Sequence, residues 1–242
     1  MVDFNTLYRV NVRVDENCEI VKGGEKMEGI KEFKYLGTVL GKHGEMDGEI
    51  RTRAVKGRSA LGTLNRIMRG RSVSMEVKTG LRNSILLPAL TYGSEAWTWN
   101  TAQQSRIRAM EISYLRSGCG VTRWDGLSNE CVYERCGMSP CAKGVQCGVV
   151  EWVKRNTLRW FGHIEIMKSE EFVKKVYINE LEGANKRGRP FERWKYRVRE
   201  YLHEKGVRRR GGLERARREC VDRERWRFFC RGHPLGERYR RE

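Results

Sequence analysis

The chain has 242 residues, of which 39% are hydrophobic and 10% aromatic, and a formal net charge of +18. That length and apolar content can bury a core in one large domain or two small ones, and they exclude a compositionally disordered chain. The excess of cations makes nucleic acid or another polyanionic surface the expected partner. The longest apolar run, around Ile85 to Leu90, is far too short to span a bilayer, so no membrane partner is expected. The N-terminus shows no basic-then-apolar leader pattern, so the eight Cys are expected to be reduced in an intracellular protein. The charge is uneven. Residues 183–242 carry 21 Lys and Arg against 9 Asp and Glu, so the last quarter reads as a basic arm or basic helical layer.

In chain order, residues 8–14 alternate apolar and polar, the pattern of a strand, and Asp15-Glu16-Asn17 reads as a turn. A weaker strand follows at residues 19–22 and stops at Gly23-Gly24. Phe33 to Gly41 reads as another strand with Phe33 and Tyr35 on one face. A small antiparallel sheet is therefore expected first. From Asp47 the period changes to helical, with Ile50, Ala54, Leu61, Leu64 and Met68 on one face, Asp47 as N-cap and Gly70 as the stop. Ser74 is expected to cap a second helix that buries Val77, Leu81 and Ile85 and ends at Pro88. Thr101 to Gln104 has capping-box spacing and opens a third helix with Ile107, Met110, Tyr114 and Leu115 inward, closed near Gly118. Residues 118–148 are rich in Gly and Cys, and Ser128 is expected to cap a short helix there. Val149 to Met167 reads as a helix containing Gly162-His163, and Val173 to Leu181 reads as a helix by its charged flanks. Residues 183–188 read as a loop, with Pro190 at a first helical position. Trp194, Val198, Tyr201 and Leu202 then form an amphipathic stripe. An Arg-rich helix covers about Leu213 to Arg231, with a break at Asp222. The expected fold is α+β but mostly α. It divides into a hairpin region (1–45), a helical bundle (46–120), a linker with a Trp/His-containing helical region (121–182) and a basic helical C-terminal region (183–242).

The stretch 151–199 concentrates aromatics among cations. That suits a surface holding a polyanion whose bases can stack. Equally, the Trp and Phe can be core and the charges a solvated face. The residues expected to touch phosphate are Arg155, Arg159, Lys186, Arg187, Arg189, Arg193, Lys195 and Arg197, with Trp97, Trp160, His163, Pro190 and Trp194 as packing anchors. Lys186 to Pro190 contains Arg-Gly-Arg-Pro, similar to an AT-hook core that lies in a narrow minor groove. The competing reading is a Gly-containing loop leading into a helix.

Four motifs in order carry a resemblance: Phe33-Lys34-Tyr35-Leu36-Gly37, the run from Leu87 to Trp97, Arg159-Trp160-Phe161-Gly162-His163-Ile164-Glu165, and Gly188-Arg189-Pro190-Phe191-Glu192-Arg193-Trp194. Their order and spacing, from about residue 30 to residue 231, resemble the post-catalytic half of non-LTR (LINE-type, RTE-like) retrotransposon reverse transcriptases. The resemblance implies that Phe33, Lys34, Tyr35, Leu36 and Gly37 correspond to the primer-grip hairpin beside the palm. It implies that the following helices correspond to the thumb along the template–primer duplex, and that the Trp-Phe-Gly-His and Gly-Arg-Pro segments lie beyond the thumb. The fingers and catalytic palm would then lie upstream of Met1, and the missing catalytic half would be a partner, beside an RNA–DNA hybrid or DNA.

Nucleotidyl transfer by two metal ions needs paired carboxylates. The five Asp (Asp3, Asp15, Asp47, Asp125 and Asp222) include no adjacent pair and no Asp-x-Asp, so polymerase activity in this chain alone is not expected. Glu170-Glu171 lies beside Lys174-Lys175 and reads as a helix-face charge cluster. His163 with Glu165 could serve as a base or metal ligand in a metal-dependent nuclease. The preferred reading of His163 is structural, packed against Trp160. Cys131, Cys136, Cys141 and Cys147 are separated by four, four and five residues, without a C-x-x-C pair, and Cys230 to His233 with Cys220 is a second cluster. These read as small buried residues, and no cofactor or metal is expected. The function expected is non-catalytic holding of nucleic acid by Arg and Lys, with an inactive remnant of a mobile element as the alternative. Basic clusters at 186–189 and 208–210 suggest a nuclear location.

Overall fold

The computed structural model describes residues 21–22, 25–26, 32–41, 46–138, 147–178, 193–208 and 210–236. The strand expected at 8–14, the turn at 15–17, the loop at 183–188 and Cys141 lie outside the described residues. The described chain is α+β and mostly α. Its strands form two separate two-stranded antiparallel hairpins, β1 (Val21–Lys22) with β2 (Glu25–Lys26) and β3 (Glu32–Tyr35) with β4 (Thr38–Gly41). The single strand expected at 33–41 is thus folded on itself. Tyr35 pairs with Thr38, and the two residues between them take positive φ, 46° at Leu36 and 82° at Gly37. Positive φ at both central residues is the turn geometry that matches the twist of paired strands, and Gly37 supplies half of it without strain.

Helix α1 (Asp47–Arg69) begins without a side-chain cap. Asp47 is its first helical residue, where its charge faces the positive end of the helix dipole. Gly70 closes the helix as expected. Ile50, Leu64 and Met68 are buried on its inner face, together with Glu49, Arg53 and Gly57. Gly57 is required there, since a Cβ would come within 2.3 Å of a Leu90 methyl.

Ser74 caps α2 (Met75–Leu81) by accepting a hydrogen bond from the Val77 amide at 3.4 Å. The buried face of this segment is not the expected one. Val77 is 53% and Ile85 41% exposed, whereas Lys78, Thr79, Arg82 and Leu86 are inside. Polar partners within the fold reverse the apolar pattern. Lys78 Nζ donates to the Gly118 carbonyl at 3.0 Å, and Tyr114 Oη donates to the Lys78 carbonyl at 3.0 Å. Pro88 does not end the helix. A π-helical stretch at Arg82–Leu86 leads directly into α3 (Leu87–Thr91), with Pro88 in its first turn. Proline lacks an amide hydrogen and crowds the carbonyl four residues back, and a widened turn is one way to relieve that crowding.

Helix α4 (Thr101–Cys119) opens with a capping box one residue earlier than expected. The Asn100 side chain accepts from the Gln103 amide at 2.9 Å, and the Gln103 side chain accepts from the Asn100 amide at 2.9 Å. Ile107, Tyr114 and Leu115 point inward. Helix α5 (Asn129–Arg135) is capped by Ser128, as expected. Helix α6 (Val149–Glu165) follows, then α7 (Phe172–Ile178), α8 (Trp194–Glu204), α9 (Gly212–Cys220) and α10 (Arg223–Cys230). Asp222 separates the last two as an N-cap, accepting from the amides of Glu224 and Arg225 at 3.1 Å. Pro190, expected at a first helical position, lies outside the described residues; α8 starts at Trp194.

The buried side chains form two cores that meet along α6. The first joins α1 to α6 through Ile50, Leu90, Trp99, Ile107 and Val153. The second gathers Leu158, Phe161, Val198, Tyr201, Trp226 and Phe229. Polar contacts link the cores. Trp99 Nε1 donates to Tyr201 Oη at 2.9 Å, Trp194 Nε1 donates to the Glu95 carbonyl at 2.7 Å, and Lys205 pairs with Glu151 at 2.7 Å. Within the Trp-Phe-Gly-His motif the glycine has a packing reason. A Cβ on Gly162 would meet Trp226 Nε1 at 2.1 Å, and that indole donates to the Leu158 carbonyl at 2.9 Å.

Candidate nucleic-acid interface

Helices α1 and α4 run in the same direction. Asp47 lies beside Arg106 near their starts, and Asn65 lies beside Ser117 near their ends. Between them is an open groove of about 1300 Å³. Its floor includes Leu61, Ala109, Ile112 and Val121. Around it stand six arginines, Arg58, Arg69, Arg71, Arg108, Arg116 and Arg123, with no Asp or Glu among the described lining residues. A second depression of about 670 Å³ shares Arg58 and Ala109 with it and adds Arg51 and Arg106 beside Asp47. On α1, Arg51, Arg58 and Arg69 are seven and eleven residues apart, which returns them to one helix face. They span about 27 Å along the axis, the rise of roughly eight base pairs.

The electrostatics of this groove are one-sided. Arg106 pairs with Asp47 at 3.3 Å, both exposed. Arg116 is committed to the loop after α4, donating to the carbonyls of Thr122 at 3.0 Å and Leu127 at 2.6 Å. Arg58, Arg69, Arg71 and Arg123 make no ion pair among the described residues. Guanidinium groups hydrogen-bond phosphate in bidentate fashion, and a row of them without carboxylates is a built-in field for a polyanion.

The β3–β4 hairpin is docked on α1 by buried polar contacts. Glu49 accepts from the Val39 amide at 2.7 Å, and Arg53 donates to the Gly37 carbonyl at 2.8 Å while its guanidinium lies 4.8 Å from the Tyr92 ring centre. Phe33 and Tyr35 stack at 6.5 Å and are half-buried; Lys34 and Leu36 are exposed.

The cations singled out by sequence are dispersed. Arg159 and Arg193 are exposed. Arg155 is buried, with its guanidinium 4.5 Å from the Trp152 ring centre, so it belongs to the packing and not to an open face. Lys195 lies over Tyr177 at 5.6 Å, and Arg197 pairs with Glu200 at 2.6 Å. Lys186, Arg187, Arg189 and Pro190 lie outside the described residues. Trp97 is buried against Trp99, Trp160 is half-buried beside His163, and Trp194 spans the two cores.

His163 is exposed, its ring centre 5.3 Å from that of Trp160. Glu165 is held by Lys174 at 2.8 Å and Arg217 at 3.1 Å. Burial works against its charge, but hydrogen bonds from Lys174 and Tyr177 and the charges of Lys174 and Arg217 outweigh it and keep the carboxyl below its ordinary value. A carboxylate so engaged is a structural anion, poorly suited to take a proton. Cys119 and Cys136 lie 3.2 Å apart, and burial with the neighbouring sulfur pushes the Cys136 thiol up to about 12. Cys147 and Cys230 are also shifted up by burial. Among the described residues no three His, Cys, Asp or Glu side chains converge as a metal site.

The sequence reading missed the groove. Its arginines are spread over α1, α4 and two loops, although residues 51–71 carry seven Lys and Arg and no acid. The period-7 and period-11 spacing of Arg51, Arg58 and Arg69 was the available signal.

No protein-family profile and no solved structure matches the chain. The chain is 29% identical over 141 residues to an uncharacterized transposon-derived protein of Caenorhabditis elegans, a match that covers 57% of this chain and 48% of that protein. It thus spans about half the length of the relative it matches, and the similarity supports an origin in a mobile element.

Proposed function

We propose that the chain is a non-catalytic nucleic-acid-binding part of a mobile-element reverse transcriptase, holding a template–primer duplex along the α1/α4 groove. The observation that carries this reading is the ring of six arginines without a carboxylate. A row of exposed like charges repels itself in a lone fold and is neutralised by a polyanion. The three-helix arrangement of α1, α2–α3 and α4 beside a docked hairpin is consistent with the thumb and primer grip that the sequence motifs resemble, and the transposon-derived relative is consistent with the same origin. The single, unpaired positions of the five Asp leave two-metal chemistry to another chain or segment.

The test is fluorescence anisotropy of the whole chain with duplex DNA and RNA–DNA hybrid oligonucleotides across a salt series. Binding should weaken steeply with salt, and the double variant Arg58→Glu/Arg108→Glu should flatten the salt dependence by about two counterions. A folded chain that binds no oligonucleotide at low salt would instead support an inactive remnant. Binding that is insensitive to salt would remove the phosphate mechanism.

A further inference from the structure

At the end of the arginine groove the loop between α4 and α5 carries Trp124, which is 96% exposed. An indole is among the largest apolar surfaces a side chain offers, and one left in water without contacts is unfavourable for a lone fold. The loop does not leave it there by slackness. Asp125 accepts from both the amide and the hydroxyl of Thr122, at 2.5 and 2.8 Å, and these bonds hold its carboxyl below the usual range. Arg116 reaches from α4 to the carbonyls of Thr122 and Leu127 and to Asn129 Oδ1, at 3.0, 2.6 and 3.3 Å, clamping the loop on both sides of Trp124. Gly120 and Gly126, with φ of 69° and 65°, make the two bends. The residue before Trp124 is Arg123, which lines the groove, as do Thr122 and Val121. An exposed indole therefore stands on a braced loop, one residue from an arginine that lines the cationic groove.

We propose that Trp124 is a base-stacking platform that binds an unpaired nucleobase where a strand leaves the groove, so that the site takes duplex with a single-stranded extension in preference to blunt duplex. This rests on the reading of the groove as a phosphate track. Stacking on a fixed aromatic is tolerant of base identity and needs the base to be free of a partner strand. A braced loop gives up little freedom on binding. The groove would hold the backbone through Arg58, Arg69 and Arg108. Trp124 would add selectivity for the unpaired segment and no covalent chemistry.

The test uses the full chain with three probes of one sequence: a blunt duplex, the same duplex with a four-nucleotide single-stranded tail, and the tail alone, each with 2-aminopurine in the tail or at the end. The tailed duplex should bind roughly ten-fold more tightly than the blunt one, and the 2-aminopurine emission should be quenched. Trp124→Ala should abolish that difference and the quenching while leaving blunt-duplex affinity and the unfolding transition unchanged; Trp124→Phe should retain most of both. Equal affinity of the wild-type chain for tailed and blunt duplex would overturn the proposal. So would a Trp124→Ala chain that still prefers the tail, as expected if the indole serves a protein partner. Failure of the groove reading is distinguishable: Arg58→Glu/Arg108→Glu would then leave blunt-duplex binding intact, and quenching of the isolated tail would report on Trp124 alone.

Discussion

The two halves of the molecule use their arginines in opposite ways. In the C-terminal half, where the sequence is most basic, the short helices interleave cation and acid. Arg197 pairs with Glu200, Arg217 with Glu214 and Glu165, Arg225 with Asp222, and Lys154 with Glu204. In the first half, among the described residues, Arg53 and Arg82 are inside. Arg53 pairs with Glu49, and Arg82 with Glu111, which also accepts from Tyr133 Oη and the Val149 amide at 2.5 and 2.9 Å. Arg58, Arg69, Arg71, Arg108, Arg116 and Arg123, on α1, α4 and the adjoining loops, line one groove without acids. Segment charge therefore does not locate the strongest field. What counts is the charge left after ion pairing, and that depends on which side chains the fold brings together. The cores differ in the same sense. The first is joined by a buried ionic network across α4, α5 and α6, the second by rings at 5–6 Å, Phe161 with Trp226 and Trp226 with Phe229.

The comparison can be broken in graded ways. The largest effect should come from Glu111→Ala. It leaves Arg82 buried and unpaired and strips Tyr133 and the Val149 amide of their acceptor, so urea unfolding should show a loss of about 3–5 kcal/mol. A loss under 1 kcal/mol would mean that the network does not organise the first core. Next, Arg58→Glu/Arg108→Glu should lower duplex affinity roughly fifty-fold at 0.1 M salt. Arg159→Glu/Arg193→Glu, altering two exposed cations of the other half, should lower it less than five-fold; equal losses would erase the contrast between the halves. Gly162→Ala should cost about 1–3 kcal/mol, because its Cβ meets Trp226, and thermal unfolding monitored by tryptophan fluorescence reads it. The smallest effect is in the pH dependence. The Glu165 carboxyl titrates lower in the fold than its ordinary value of 4.5. Its contribution is therefore fully present above that value and fades as pH falls through the folded one. Glu165→Gln should flatten the acid side of a stability–pH curve and leave its alkaline side unchanged.

Much of the architecture was legible from residue order alone. Period and caps located α1, α4, α5, α6 and the break at Asp222, because those signals act within four residues of one another. Errors arose where a tertiary partner changed the meaning of a residue. Lys78 and Arg82 turned inward because a carbonyl and a carboxylate await them, which left Val77 and Ile85 outside. The Phe33 to Gly41 run folded back because Arg53 and Glu49 hold its turn and its second strand.

The candidate site divides in the same manner. The sequence by itself determined that the chain would be mostly helical, cationic and without an adjacent pair of Asp, since helix period, net charge and residue adjacency are properties of the string. Only the tertiary structure decided which cations remain unpaired, that Arg155 is packed against Trp152 while Trp124 stands in water, and that Arg58, Arg108 and Arg123 share one groove. Ion pairing and burial act over a few ångströms in space, and residues separated by up to 65 positions meet there only after the helices have packed.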